Sequence, residues 1–187
     1  MEKTKLLVEL IGGCVQGERR SQQLIYTMFA GKMKAVCLRY LKSREDAEDL
    51  LQEGFIKTFQ NIGQYKFEGS FEGWMRRMFV HLCIDSLRKQ KSKGWKIEYK
   101  DEITDVGEME PDAEDLDLPE ISPEQILEAM EHLSPVYRTV FNLIAFEQYS
   151  HQEVADQLGI SLGTSKSNYA KAKRNIQRIL IDLTTRK

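Results

Sequence analysis

Between positions 65 and 77 four aromatic side chains, Tyr65, Phe67, Phe71 and Trp74, stand beside the cations Lys66, Arg76 and Arg77. An unpaired nucleobase offers a π-face and its backbone a phosphate, so rings beside cations suit single-stranded nucleic acid. Farther along, Leu162 through Ile181 carries five Lys or Arg and no acid. Wound as a helix, this stretch sets Ser165, Tyr169, Ala172, Ile176, Leu180 and Leu183 on one stripe. Thr164, Ser167, Asn168, Lys171, Arg174 and Arg178 fall opposite. A stripe of one charge sign suits phosphates along its length and base edges at its first turns, whereas a merely solvated helix mixes both signs.

Bond-making chemistry has no comparable set. His81, His132 and His151 are scattered, no HExxH, GxSxG or phosphate-binding loop occurs, and Cys83 lies two residues from His81 in a helix-like run, which suits a structural histidine. A protein that is not an enzyme and holds no metal or cofactor is expected. Cys14, Cys37 and Cys83 are odd in number without CxxC spacing, the usage of reduced thiols in a cytosolic chain. Ile11-Gly12-Gly13-Cys14 loosely resembles a lipoprotein cleavage site, but Glu9 interrupts the short apolar run before it. A soluble, cytoplasmic protein is the better reading.

The elements that must position these residues are helical. Apolar Leu24, Ile25, Met28, Phe29, Met33, Val36, Cys37, Tyr40 and Leu41 recur at helical spacing, and Ser43 can cap a second helix from Arg44. That helix lines Ala47, Leu51, Phe55, Thr58 and Ile62 along one side and Glu45, Asp49, Gln52, Glu53 and Ile56 along the other. On spacing alone the acidic strip is a solvated face. A third helix over about 71–91 ends basic through Arg88, Lys89 and Lys91. Start signals recur at Ser122-Pro123, Ser134-Pro135 and Ser150 with Glu153, and Leu158-Gly159-Ile160-Ser161 is the short glycine turn of a helix-turn-helix. Residues 97–124 hold twelve acids and one Lys, a net −11 that leaves +9 on the rest of a chain of net −2. Self-repulsion and Pro111 and Pro119 predict an extended connection there. The expected architecture is all-α: helical domains over 21–95 and 122–187 joined by an acidic flexible linker over 96–121.

These elements in this order resemble the extracytoplasmic-function sigma factors of the sigma-70 family, whose members pair a region-two helical domain with a region-four helix-turn-helix. The stretch Asp46-Ala47-Glu48-Asp49-Leu50-Leu51-Gln52-Glu53-Gly54-Phe55 is similar to the family's helix that docks on the clamp coiled coil of the polymerase largest subunit. The resemblance thus turns the acidic strip, with Asp46, from solvated face to docking site. Phe67 through Arg77, continuing to Asp85-Ser86-Leu87-Arg88-Lys89, resembles the region that opens and reads the minus-ten-type element. Leu133-Ser134-Pro135-Val136-Tyr137-Arg138, then Tyr149 to Ala155 and Gly163-Thr164-Ser165-Lys166-Ser167, resembles the region that reads the minus-thirty-five-type element. Lys166 joins the candidate DNA contacts on that ground. The resemblance implies core RNA polymerase, through its clamp and flap, and promoter DNA as partners, and such factors often have an anti-sigma partner. His81 stands where the family usually has Asn, Ser165 where an aliphatic is usual, and Asn168 where a basic residue is frequent. The competing reading is a helix-turn-helix regulator acting without polymerase; a ligand or receiver domain in the first half would favour it, and the sequence has none.

Overall fold

A computed structural model describes residues 2–92 and 122–185, and the chain divides into two compact units on either side of position 95. The acidic connection expected over 96–121 lies outside the described residues. All regular structure among the described residues is helical.

The first unit contains α1 (Glu2–Val15), α2 (Arg19–Tyr40), α3 (Arg44–Asn61), a 3-10 turn η1 (Ile62–Gln64) and α4 (Phe71–Ser92). Ser43 starts α3 as its spacing predicts, its hydroxyl accepting from Asp46 N at 3.2 Å. Ile25, Met33, Val36 and Cys37 of α2 pack with Ala47, Leu51 and Phe55 of α3 and Met75, Phe79, Val80 and Cys83 of α4, all buried. Gly54 lets α3 and α4 approach: a Cβ there would sit 2.3 Å from the Phe79 ring. All three cysteines are buried and unbridged. The helix α1 was not anticipated, because Leu10, Ile11 and Cys14 are too few to announce a buried face.

The second unit contains α5 (Pro123–Glu131), α6 (Pro135–Phe141), a π-helical segment (Asn142–Phe146), α7 (His151–Leu158) and α8 (Leu162–Thr185). Capping boxes at Ser122 with Gln125 and at Ser150 with Glu153 start α5 and α7, and Gly159, at φ 67°, ends α7 in the left-handed conformation that glycine adopts freely. Ser161 then accepts from Thr164 N at 3.0 Å to open α8. The core joins Ala129, Met130 and Leu133 to Ala172, Ile176 and Leu180. Sequence periodicity did not reveal the π-helical segment, in which Asn142 and Leu143 are both buried.

Candidate functional site

Because α3 buries Ala47, Leu50, Leu51, Gly54, Phe55 and Thr58, its helical period turns Glu45, Asp46, Asp49, Gln52, Glu53 and Ile56 outward together, and all six are exposed. Ile56 keeps 57% of its surface open. Glu48, on the flank, is taken up by Lys34 at 2.7 Å and Arg44 at 3.5 Å; the Lys34 hydrogen bond chiefly holds its carboxyl below the usual range. Glu53 pairs with Lys57 at 3.0 Å, while no ion pair reaches Glu45, Asp46 or Asp49 among the described residues. The face therefore offers open carboxylates around one apolar side chain, a surface that fits a basic partner with an apolar anchor.

The aromatic group differs from expectation in two side chains. Tyr65, one of the rings expected to suit an unpaired base, is buried: its hydroxyl donates to the Gly69 carbonyl at 2.9 Å and its ring packs on Phe71 and Trp74. Phe71, another of the rings expected to suit an unpaired base, is 2% exposed and packed against Phe29 and Trp74. A buried ring with both faces covered has no surface left for a base, so these two form the support. Phe67 is the ring on top. It is 55% exposed, its centroid lies 4.9 Å from that of Tyr65, and its φ is 61°. A bulky residue in the left-handed region costs about 1–3 kcal/mol and persists only where its surroundings impose it. Here the Tyr65–Gly69 bond and the Ser70 cap on Gly73 N, at 3.0 Å, fix both ends of the loop.

Cations flank the loop in sequence and continue along α4. Lys66 and Arg77 are exposed; Arg76, half-buried, pairs with Glu72 at 3.3 Å; Trp74 is half-buried; and Arg88 and Lys89 are exposed farther along α4, Arg88 against Asp85 at 3.4 Å. Glu72 also accepts from Lys32 of α2, and that hydrogen bond is the main cause holding its carboxyl below the ordinary glutamate range. The loop end of α4 is thereby tied to α2.

On α8 Ser165, Ala172, Ile176 and Leu180 are buried as expected, and one residue of the outward stripe departs. Asn168, expected outward, is 4% exposed, and its Nδ2 has no hydrogen-bond partner among the described residues. Ser165, Asn168, Ala172 and Ile176 follow spacings of three and four, so they form one inward row, and a polar amide within it is invisible to a count of apolar positions. Thr164, Ser167 and Lys171 are half-buried, whereas Lys166, Arg174 and Arg178 are exposed. Lys173, counted among the cations but not assigned a role, is exposed too, its Nζ 5.4 Å from the Tyr169 ring centre. Tyr169 itself stacks on Phe141 and meets His151 edge-on. Ser165, fully buried, hydrogen-bonds His151 Nδ1 at 3.0 Å and ties α7 to α8; burial, and then Lys166, push the His151 pKa down. The outward surface of α8 is thus cationic at Lys166, Lys173, Arg174 and Arg178, the charge pattern that holds a polyphosphate backbone.

Known proteins share these features in the same order. A family model described as Sigma-70 region 2 matches residues 25–93, and one described as Sigma-70, region 4 matches residues 123–176. The ECF RNA polymerase sigma factor SigW of Bacillus subtilis is 27% identical over 179 residues, covering 90% of this chain and 93% of that one. The ECF RNA polymerase sigma factor SigE of Mycolicibacterium smegmatis is 28% identical over 152 residues, 81% of this chain, which spans only 58% of that relative's length. Among solved structures, the sigma factor RpoE in its complex with the anti-sigma factor NepR from Bartonella quintana aligns with a TM-score of 0.52 at 20% identity. That alignment covers 84% of this chain and 95% of RpoE, and it supports the helical fold.

Proposed function

The chain belongs to the sigma-70 family and, within it, to the extracytoplasmic-function sigma factors, and on that premise we propose how its surfaces divide the work of initiation. It is a sigma factor that joins core RNA polymerase and directs transcription from particular promoters. Polymerase performs the chemistry, and this subunit supplies recognition and strand opening.

In this proposal, residues 21–95 dock on core polymerase and open the minus-ten-type element, 96–121 connect, and 122–187 read the minus-thirty-five-type element. Docking falls to Glu45, Asp46, Asp49, Gln52, Glu53 and Ile56. Phe67 receives a base that has left the stack, Tyr65 and Phe71 hold it up from beneath, and Trp74 flanks it. Lys66, Arg76, Arg77, Arg88 and Lys89 steer the strand's phosphates. On α8, Lys166, Lys171, Lys173, Arg174 and Arg178 hold the upstream duplex, with Thr164 and Ser167 nearest the base edges at its first turn. The protein works in the cytoplasm, where polymerase is, and an anti-sigma partner that controls it is part of the proposal. A regulator acting without polymerase would leave the acidic strip without a role.

The single observation that carries this reading is the strip itself, six outward residues on a helix whose other side is a tightly packed core. Its test is association with core polymerase: Asp49→Arg with Gln52→Arg abolishes binding while the melting temperature stays that of the parent. Unchanged binding by the double variant moves the docking face elsewhere.

A further inference from the structure

The helix α1 lies outside both matched family regions, the first of which begins at residue 25, yet it touches the base of the loop that carries Phe67. Its C-terminal end is locked onto α2. Gly17, at φ 76°, makes the turn, and Glu18 N donates to the Gly13 carbonyl at 2.9 Å. Glu18 then accepts from the Ser21 hydroxyl at 2.6 Å, and a Cβ on Gly13 would land 2.3 Å from that same hydroxyl. With no room between the two helices and a hydrogen-bonded corner joining them, α1 cannot pivot without breaking its own cap.

From that fixed position α1 packs against both α2 and η1. Leu10, Ile11 and Cys14 are buried, and Val15, 51% exposed, reaches within 4.0 Å of where a Gly63 Cβ would lie. The turn η1 is short, closed by Tyr65 N donating to the Ile62 carbonyl at 3.2 Å, and Ile62 is 2% exposed. Tyr65 follows at once, and Phe67 rests on Tyr65 with its backbone in the left-handed region. From α1 to Phe67 the groups follow one another: α1 packs on η1, Tyr65 N bonds the Ile62 carbonyl of η1, and Phe67 rests on the Tyr65 ring. A strained residue keeps its conformation only where its supports are rigid.

We infer that α1 is a brace for promoter opening: by holding η1 from outside the family's region two, Ile11, Cys14 and Val15 set the position of Tyr65 and hence the presentation of Phe67 to an extruded base. These are positioning residues, acting on Phe67 through η1 and Tyr65. The inference rests on the reading of Phe67 given above. It makes α1 specific to the melting step, with no part in docking on polymerase, because the outward strip of α3 is formed by other residues.

The experiment uses the full chain with core polymerase and measures open-complex formation on a duplex promoter and on the same promoter carrying a pre-melted bubble. Val15→Ser, at an exposed position, tests the contact with little risk to folding; Ile11→Ala tests it from the buried side; and Phe67→Ala reports on the loop itself. The expected result is that both α1 variants slow opening of the duplex by about 2- to 30-fold, Ile11→Ala the more, while rates on the bubble template and affinity for core polymerase stay at parent values. Parental opening rates in both α1 variants, with Phe67→Ala slow on the duplex, overturn the brace and leave the Phe67 reading standing. Equal losses on the two templates overturn it as well, showing α1 to be a stability element only. Should Phe67→Ala open the duplex as fast as the parent, the reading of Phe67 fails and the brace with it.

Discussion

In the first unit the buried side chains are aliphatic and aromatic, with Ser21 and Thr58 the polar ones among the described residues. The second unit buries Arg138, Thr139, Asn142, Ser165 and Asn168. The rings of the first unit form two sets: Tyr26, Phe55, Phe59 and Phe79 around α3, and Phe29, Phe71, Trp74, Tyr65 and Phe67 around the loop. Such a core is stiff, and stiffness is what a surface needs when it must hold an outward acidic strip on one side and a strained Phe67 on the other. The second unit has three short helices, α5 to α7, beside the long α8, a π-helical segment and Arg138 sunk to 3% exposure, where burial lowers its pKa and Glu131 opposes the shift. Its side-chain bonds, such as His151 to Ser165, specify how the helices meet more than they add to stability. In the proposed division of work, apolar rigidity would serve strand opening and polar fixation the placement of a reading helix.

The contrast breaks most readily at Phe79, which is fully buried at the α3–α4 contact. Phe79→Ala is expected to cost about 3–5 kcal/mol, with amide protection lost across residues 2–92 and retained in 122–185; protection lost in both units alike would show that the two cores are not separate. Next in size is Phe67→Ala. Stacking of a base is worth about 1–3 kcal/mol, so duplex opening slows while the bubble template is spared, and the melting temperature does not fall because an exposed, strained ring is removed. A variant that opens both templates equally slowly would mark Phe67 as part of the fold.

Asn168 sharpens the other side of the comparison. Its unpartnered buried amide costs about 1–3 kcal/mol, so Asn168→Leu raises the stability of the second unit by up to that amount and leaves base preference at the upstream element unchanged. Arg178→Ala weakens all promoters alike and lowers the salt slope of binding by about 0.9. Selections over randomised upstream elements check both, and a shifted preference in Asn168→Leu would return that residue to the base edges.

The smallest effect is in acid. The fold holds His151 in its neutral form, so the stability it contributes is complete above the ordinary histidine pKa and is lost as pH falls through that value to the lowered one. Glu72, held ionised by Lys32, loses its contribution only as pH falls through the lower carboxylate range. Stepwise acidification should therefore weaken the second unit first, and His151→Asn should flatten that early loss. An early loss of equal size in the variant assigns it to other groups.

Much of this was legible in the sequence because it depended on local rules. The caps at Ser43, Ser122, Ser134 and Ser150, the glycine stop at Gly159, the inner face of α3 and the extent of α4 all follow from residue type and spacing. The failures share one cause. Tyr65 lies in a loop and Asn168 carries an amide, so both read as exposed, yet each is buried by packing that its own residue type does not announce: Phe71 and Trp74 of α4 over Tyr65, and the helices packed on α8 over Asn168. Lys173, one of the five cations of α8, was given a place on neither stripe. Nothing local announced that α1 would meet η1.

The central claim is that one chain docks on polymerase through α3 and selects promoters through its other surfaces. Transcription of a fragmented genomic template by core polymerase tests it most directly, with no factor, with the parent chain, and with Asp49→Arg/Gln52→Arg. A limited set of new start sites is expected with the parent, absent without it and absent with the double variant. New start sites that survive in the double variant, or a parent chain that adds none, would contradict it.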